Sequence, residues 1–194
     1  MAASTPCVRT DVLGTLVLLQ VAQELSARFV HVSTDEVYGD VESGWCSRED
    51  DPLRPSSPYS ASKAGGDLQV LAGVRTFGVN ASVTRGSNTY GPNQYPEKLI
   101  PLFVTNALDG EPLPLYGDGA QTRDWLHVSD HCAGIELVLR EGASGEVYNV
   151  GGGHELRNRD VTGLILELTE ADPSLVRHVA DRPGHDRRYS LDCT

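Results

Sequence analysis

The sequence predicts an α/β fold: a Rossmann-like, doubly wound, mainly parallel sheet lacking its first βα units, with a small C-terminal substrate-binding part. Three observations carry this. Short β-rich runs alternate with helical patterns along most of the chain. Small polar and acidic residues follow a predicted strand directly, where open α/β sheets bind their ligands. The chain also opens on a helical pattern, with no strand followed by G-x-G-x-x-G. At about 30 residues or more for each βαβ unit, the deficit is roughly 60 residues or more, so the sequence reads as an incomplete chain.

The elements follow in order. Apolar residues at 12, 13, 16, 17, 19, 21 and 25 predict a largely buried helix over 12–25. Residues 28–33 read as a strand, and the acidic, Pro-containing stretch 40–57 as a long loop of the kind that covers a site. A second helix spans 58–77, with Pro58 in its first turn and Gly78 as its stop. A strand at 81–84, a helix over 97–108, and strands at 113–116 and 124–128 come next. Ser129 is the expected cap of a helix over 130–140. A strand at 147–150 opens onto Gly151, Gly152 and Gly153, read as a loop at the pocket, before a helix over 160–168 and a last strand at 176–180. The 194 residues form one partial domain, with nucleotide-fold segments up to about 90 and over 117–150, and substrate-binding segments over 91–116 and 151–194.

Composition narrows the partners. Sixteen Lys+Arg against 27 Asp+Glu give a net charge of −11, which argues against a nucleic-acid backbone as ligand. Any anionic ligand must meet a local basic cluster, and the densest is Arg182-Pro-Gly-His185-Asp-Arg187-Arg188. The one long apolar run, 12–22, is about half the ~20 residues a membrane span requires. Cys7, Cys46, Cys132 and Cys193 form no C-x-x-C pair and read as reduced thiols, placing the protein in the cytoplasm.

Two clusters could do chemistry. Tyr59 and Lys63 lie four residues apart on one helix face, where an ammonium can lower the phenol's pKa from about 10 and make it a base. Such pairs also arise by chance. Thr34, Asp35 and Glu36 follow a strand, and two adjacent carboxylates divide acid and base work if their surroundings separate their pKa values. The same residues equally suit a helix N-terminus.

Together these segments resemble the extended short-chain dehydrogenase/reductase family, and within it the dTDP-glucose 4,6-dehydratases. STDEVYGD at 33–40, PYSASKA at 58–64, SNTYGPNQYPEKLIPL at 87–102, YGDGAQTRDWLHV at 116–128, YNVGGG at 148–153 and DRPGHDRRY at 181–189 carry the resemblance, which covers nearly the whole chain. It implies a lyase that uses NAD to turn dTDP-glucose into a 4-keto-6-deoxy sugar nucleotide. Tyr59, helped by Lys63, would take the C4 hydroxyl proton, and Thr34 would bond the reacting oxygen. Glu36 would remove the C5 proton while Asp35 protonates the departing C6 hydroxyl. Ser33, Tyr59, Lys63 and Thr89 would lie on the cofactor side. Asn88, Lys98, Leu99, Pro114, Tyr116, Arg123, Asn158, Arg182 and His185 would hold the sugar nucleotide, and a homodimer is implied. Nucleotide-sugar epimerases share the Tyr/Lys pair but lack the acidic couple, so a 4-epimerase is the alternative, as is an inactive sugar-nucleotide-binding fragment without the NAD phosphate turn. Thr89 departs from the family, standing where an Asn often follows Asn88, and a hydroxyl replaces only part of an amide's hydrogen bonding. His127 and His131 have metal-like spacing but no third ligand, and Trp45 and Trp125 read as packing residues.

Overall fold

Six buried residues in a row mark the strand around which the molecule is built, Ala81–Gly86. The computed structural model describes residues 4–194. That strand (β2) lies between β1 (Phe29–Thr34) and β6 (Val147–Val150), parallel to both. A strand covered on both faces reads as a continuous run without alternation, as a parallel central strand should. Two smaller sheets complete the fold. One joins β3 (Asn88–Tyr90), β5 (Thr122–His127) and β7 (Glu155–Arg157); the other pairs β4 (Leu113–Tyr116) with β8 (Val176–Val179). Every pairing is parallel except β5 with β7. The α/β class with mainly parallel strands holds, but the strands sit in three small sheets rather than one.

The first helix, α1, runs as Ser4–Cys7, a wide-turned stretch Val8–Gly14, and Thr15–Glu24. It starts before the predicted residue 12 and is not largely buried. Thr15, Leu19 and Ala22 are covered, whereas Leu13, Val17, Leu18 and Leu25 are exposed. The second helix, α2 (Pro58–Phe77), matches the prediction at both ends. Ser57 and Ser60 form a reciprocal capping box at its start, and Gly78 closes it at φ 68°, a conformation that favours glycine. Leu19 of α1 and Val70 of α2 pack with Val79, Ala81 and Val83 into the core behind the first sheet.

Close approach fixes where α2 lies. A Cβ on Gly66 would stand 2.6 Å from the Asp11 carbonyl and 2.9 Å from His31 Nε2. One residue on, Asp67 is fully buried and accepts from Arg85 Nε at 2.9 Å, while Arg85 also donates to the Tyr38 hydroxyl at 2.8 Å. A charge buried this deeply persists only when it is paired.

The remaining helices are α3 (Leu99–Asp109), α4 (Val128–Glu141) and α5 (Asn158–Thr169). A second core of Phe103, Ala107, Leu113, Leu115, Val161, Ile165 and Leu166 holds α3 and α5 to β4. The cap of α4 is not Ser129: the residue preceding the helix is His127, whose Nδ1 accepts from the Ser129 N–H. Strands β3 and β7 escaped the sequence reading because three residues are too few to display alternation. Trp45, expected to pack, is 71% exposed. Among the described residues, no helix is long and apolar enough to cross a membrane.

Candidate active site

The site begins where β1 ends. Thr34 keeps extended backbone angles and its hydroxyl accepts from the Glu36 N–H, turning the chain into a 3₁₀ turn at Asp35–Tyr38. The capping reading of this segment is thus correct, and it also sets the two carboxylates at the sheet edge. Asp35 is 3% exposed; its Oδ1 accepts from the Thr34 hydroxyl at 3.1 Å, and its Oδ2 has no partner among the described residues. Burial above all, then the neighbouring Glu36 charge, pushes the Asp35 pKa up to about 7. Burial raises Glu36 as well, but Arg123, Arg182 and Lys98 draw it back. Deeper burial of Asp35 together with fuller cationic support of Glu36 separates the two acids.

Tyr59 stands in the first turn of α2 and opens onto the same cavity. Burial, followed by Glu36, Asp11 and Asp35, pushes its pKa up to about 12. This corrects the expectation of a phenol made acidic by Lys63. The ammonium instead donates to the Val32 carbonyl at 2.6 Å, and the phenol is left among negative groups.

The cavity has a volume of about 730 Å³, within the usual range for small-molecule sites. Of the residues singled out from sequence, Thr34, Asp35, Glu36, Tyr59, Asn88, Thr89, Lys98, Leu99, Pro114, Tyr116, Arg123, Asn158, Arg182 and His185 all line it. Ser33 and Lys63 do not. Asn88 and Thr89 come from β3, Lys98 and Leu99 from the start of α3, Pro114 and Tyr116 from β4, and Asn158 from the start of α5.

Arg123, on β5, is buried and largely engaged. It donates to the carbonyls of Thr122, Arg187 and Asp186, and its guanidinium lies 4.2 Å from the centre of the Tyr189 ring. It therefore ties the C-terminal tail to the sheet. Arg182 is exposed and stands over Tyr116, 5.8 Å from the ring centre. His185 meets the edge of the same ring, and its Nδ1 lies 2.6 Å from Asp181 Oδ1. Burial lowers the His185 pKa despite that carboxylate, while the same hydrogen bond holds Asp181 below its ordinary range.

Several lining residues were missed by sequence reasoning. Ser87, Gln94, Trp125 and Tyr189 line the cavity, and only Ser87 carries a usable signal, since it directly follows a strand. The Gly151–Gly153 run, expected at the pocket, is not part of its lining. Asp124 holds it instead, accepting from the N–H groups of Gly152 and His154, and glycine at 152 is what admits the close approach, since a Cβ there would collide with the Trp125 carbonyl.

The fold and the cavity at the ends of β1 and β2 define the doubly wound α/β class. The sequence profile of the family described as GDP-mannose 4,6 dehydratase matches residues 1–194, and the chain belongs to that family. It is 60% identical over 188 residues to a dTDP-glucose 4,6-dehydratase of Streptomyces antibioticus, covering 96% of this chain and 56% of the relative. It is 55% identical over 194 residues to one from an Actinoplanes species, covering 99% and 60%. The chain thus spans 56% to 60% of the length of these relatives. Among solved structures, DesIV, a dTDP-glucose 4,6-dehydratase from Streptomyces venezuelae with NAD and TYD bound, superimposes with a TM-score of 0.96 at 57% identity, covering 99% of this chain and 60% of that one. The UDP-glucose 4-epimerase of Thermus thermophilus in complex with NAD gives 0.88 at 31% identity, covering 94% and 61%.

Proposed function

We propose that this chain carries the acid, base and sugar-nucleotide-binding residues of a dTDP-glucose 4,6-dehydratase, a hydro-lyase working with NAD in the cytoplasm. One observation carries the reading: Asp35 and Glu36 share a cavity with Tyr59, and their surroundings separate the proton affinities of the two acids. The likeness to relatives named for this activity supports it.

The residues present fit the cofactor. Ser33 and Ser87 hold buried hydroxyl oxygens that have no partner among the described residues, at the carboxyl ends of β1 and β2. Unsatisfied buried polar atoms suit a polar ligand. Ser33, Tyr59, Lys63 and Thr89 would hold NAD. When bound, NAD would supply a positively charged ring that favours a nearby phenolate and the hydride-carrying capacity needed to oxidise C4 and reduce C6.

The chain's own groups do the rest. Tyr59 accepts the C4 hydroxyl proton, and Thr34 bonds the same oxygen. The resulting ketone acidifies the C5 proton, which Glu36 removes as the better-supported carboxylate. Asp35, with its proton held to about pH 7, donates to the C6 hydroxyl and water leaves, and Glu36 gives its proton back to C5 as C6 is reduced. Arg123, Arg182 and Lys98 supply the cationic side chains that a diphosphate requires of an acidic protein, and His185 adds an imidazole beside them. Asn88, Leu99, Pro114, Tyr116 and Asn158 frame the remainder of the nucleotide sugar. In this reading 91–116 and 151–194 form the substrate-binding part. The homodimer belongs with it, since α1 exposes Val17, Leu18 and Val21 and α2 exposes Leu68 and Phe77, apolar surface that a second copy would cover.

Incubation of the chain with dTDP-glucose and NAD, followed by mass spectrometry, tests the proposal. A product lighter by one water and carrying a 4-keto group is expected. Inversion at C4 with the C6 oxygen retained would instead identify an epimerase. Nucleotide binding without any conversion would identify a binding fragment.

A further inference from the structure

We propose that His131 is a positioning residue for the 87–89 wall of the cavity: protonated on Nδ1, it donates to the Thr89 hydroxyl, which in turn donates to the Ser87 carbonyl. The proposal deepens the dehydratase reading, on which it rests for what that wall contacts. His131 was notable in the sequence only for its spacing from His127. In the structure the two do unrelated things, His127 accepting from Ser129 at the start of α4 and His131 reaching inward from the same helix.

The geometry is specific. His131 Nδ1 lies 2.7 Å from Thr89 Oγ1, and the same oxygen lies 3.3 Å from the Ser87 carbonyl. The other side of the ring is closed. Nε2 is buried without a partner among the described residues, and a Cβ on Gly86 would stand 2.4 Å from it and 2.5 Å from Cε1. Glycine at the end of β2 is therefore what admits the imidazole.

Donor accounting selects the tautomer. A hydroxyl has a single proton to give. If Nε2 carried the ring proton, Thr89 would have to donate to Nδ1, leaving the Ser87 carbonyl without that bond and a buried N–H without an acceptor. With the proton on Nδ1, both contacts are made in one direction, and only an acceptor nitrogen is left over. Orphaned N–H donors are the rarer defect in folded proteins. Burial lowers the ring's affinity for a second proton, so it stays neutral.

The neighbours explain why one hydrogen bond has such reach. The Ser87 N–H donates to Val150, and Gln94 Nε2 donates to the Thr89 carbonyl at 2.9 Å. Backbone on both sides of Asn88 is thereby held, and rotation of the Thr89 side chain is the freedom that His131 removes. Ser87, Asn88 and Thr89 all line the cavity.

The test starts without any ligand. Ring ¹H–¹⁵N correlation spectra of the ¹⁵N-labelled chain at neutral pH should show His131 as the Nδ1–H tautomer, and Thr89→Val, which keeps the shape but removes the hydroxyl, should shift it toward Nε2–H. Calorimetric titration with NAD then reads the positioning. His131→Leu should weaken binding about five- to tenfold, the value of one net hydrogen bond. His131→Asn, whose amide nitrogen can stand where Nδ1 stood, should restore most of it, and His131→Leu should cost nothing further in the Thr89→Val background. An Nε2–H tautomer or an imidazolium in the unsubstituted chain would overturn the proposal, as would failure of His131→Asn to rescue. If the unsubstituted chain binds no NAD, the dehydratase reading fails, and the tautomer and its response to Thr89→Val decide this inference alone. They also decide it if His131→Leu does not fold.

Discussion

Replacing Asp35 with Asn should stabilise the protein while disabling its chemistry, and the gain should grow with pH. The carboxyl is 3% exposed, its Oδ2 is unpartnered among the described residues, and its pKa stands at about 7 against an ordinary 3.8. A group whose folded pKa is raised binds its proton more tightly in the folded state. Stability therefore falls as pH rises through the window between the two values. At about 1.4 kcal/mol for each pH unit, the penalty approaches about 4 kcal/mol once pH exceeds 7 and vanishes below about 4. Asparagine has no charge to bury. Urea unfolding of Asp35→Asn beside the unsubstituted chain should show a gain of about 1 to 2 kcal/mol at pH 5 and about 2 to 3 kcal/mol more at pH 8. Under the proposed dehydratase reading, dehydration should be lost at both pH values, because the amide cannot deliver a proton to the departing hydroxyl. A stability difference that does not change between pH 5 and pH 8 would refute the reasoning, since burial of a charge would then not be the cause.

Three further perturbations address the surrounding framework. Tyr59→Phe should abolish turnover yet leave thermal stability nearly unchanged, because the Tyr59 side chain is only half covered; undiminished turnover would remove it from the base role. Asp67→Ala should destabilise by about 3 to 5 kcal/mol in denaturant titration by stranding the buried Arg85, whereas an apolar replacement of both residues should cost much less. Equal costs would show that the charges are not what is at stake. Gly66→Ala should lower stability by about 1 to 3 kcal/mol, as an added methyl forces α2 away from the Asp11 carbonyl; a neutral result would contradict the close packing of α1 on α2.

Much of this architecture was readable from local pattern. Helix α2 was legible to the residue because Pro58 and Gly78 are start and stop signals that act within a few residues. Strand β2 was found but cut short at 84, since its last residues, Arg85 and Gly86, look polar or flexible until Asp67 is seen to pair with the arginine. The exposure of α1 was misjudged because apolar spacing announces a face without saying what covers it. Most of the candidate site was legible through the resemblance, because the motifs carry residue identity along with order. Trp125 and Gln94 escaped, as neither sits in a pattern that distinguishes a cavity wall from a core.

Residue order and short-range spacing were enough to establish the α/β class and both ends of α2, because each depends on neighbours along the chain. The proton affinities of Asp35, Glu36 and Tyr59 lay beyond that reach. They depend on Arg123, Arg182, Lys98 and Asp11, brought from four other segments of the chain, and on exclusion of water by the folded whole. Lys63 shows the same divide. Helical spacing placed it on the face of Tyr59, but its ammonium donates to the Val32 carbonyl on β1, and burial with the carboxylates of Glu36, Asp11 and Asp35, none of which helical spacing reveals, sets the phenol's proton affinity.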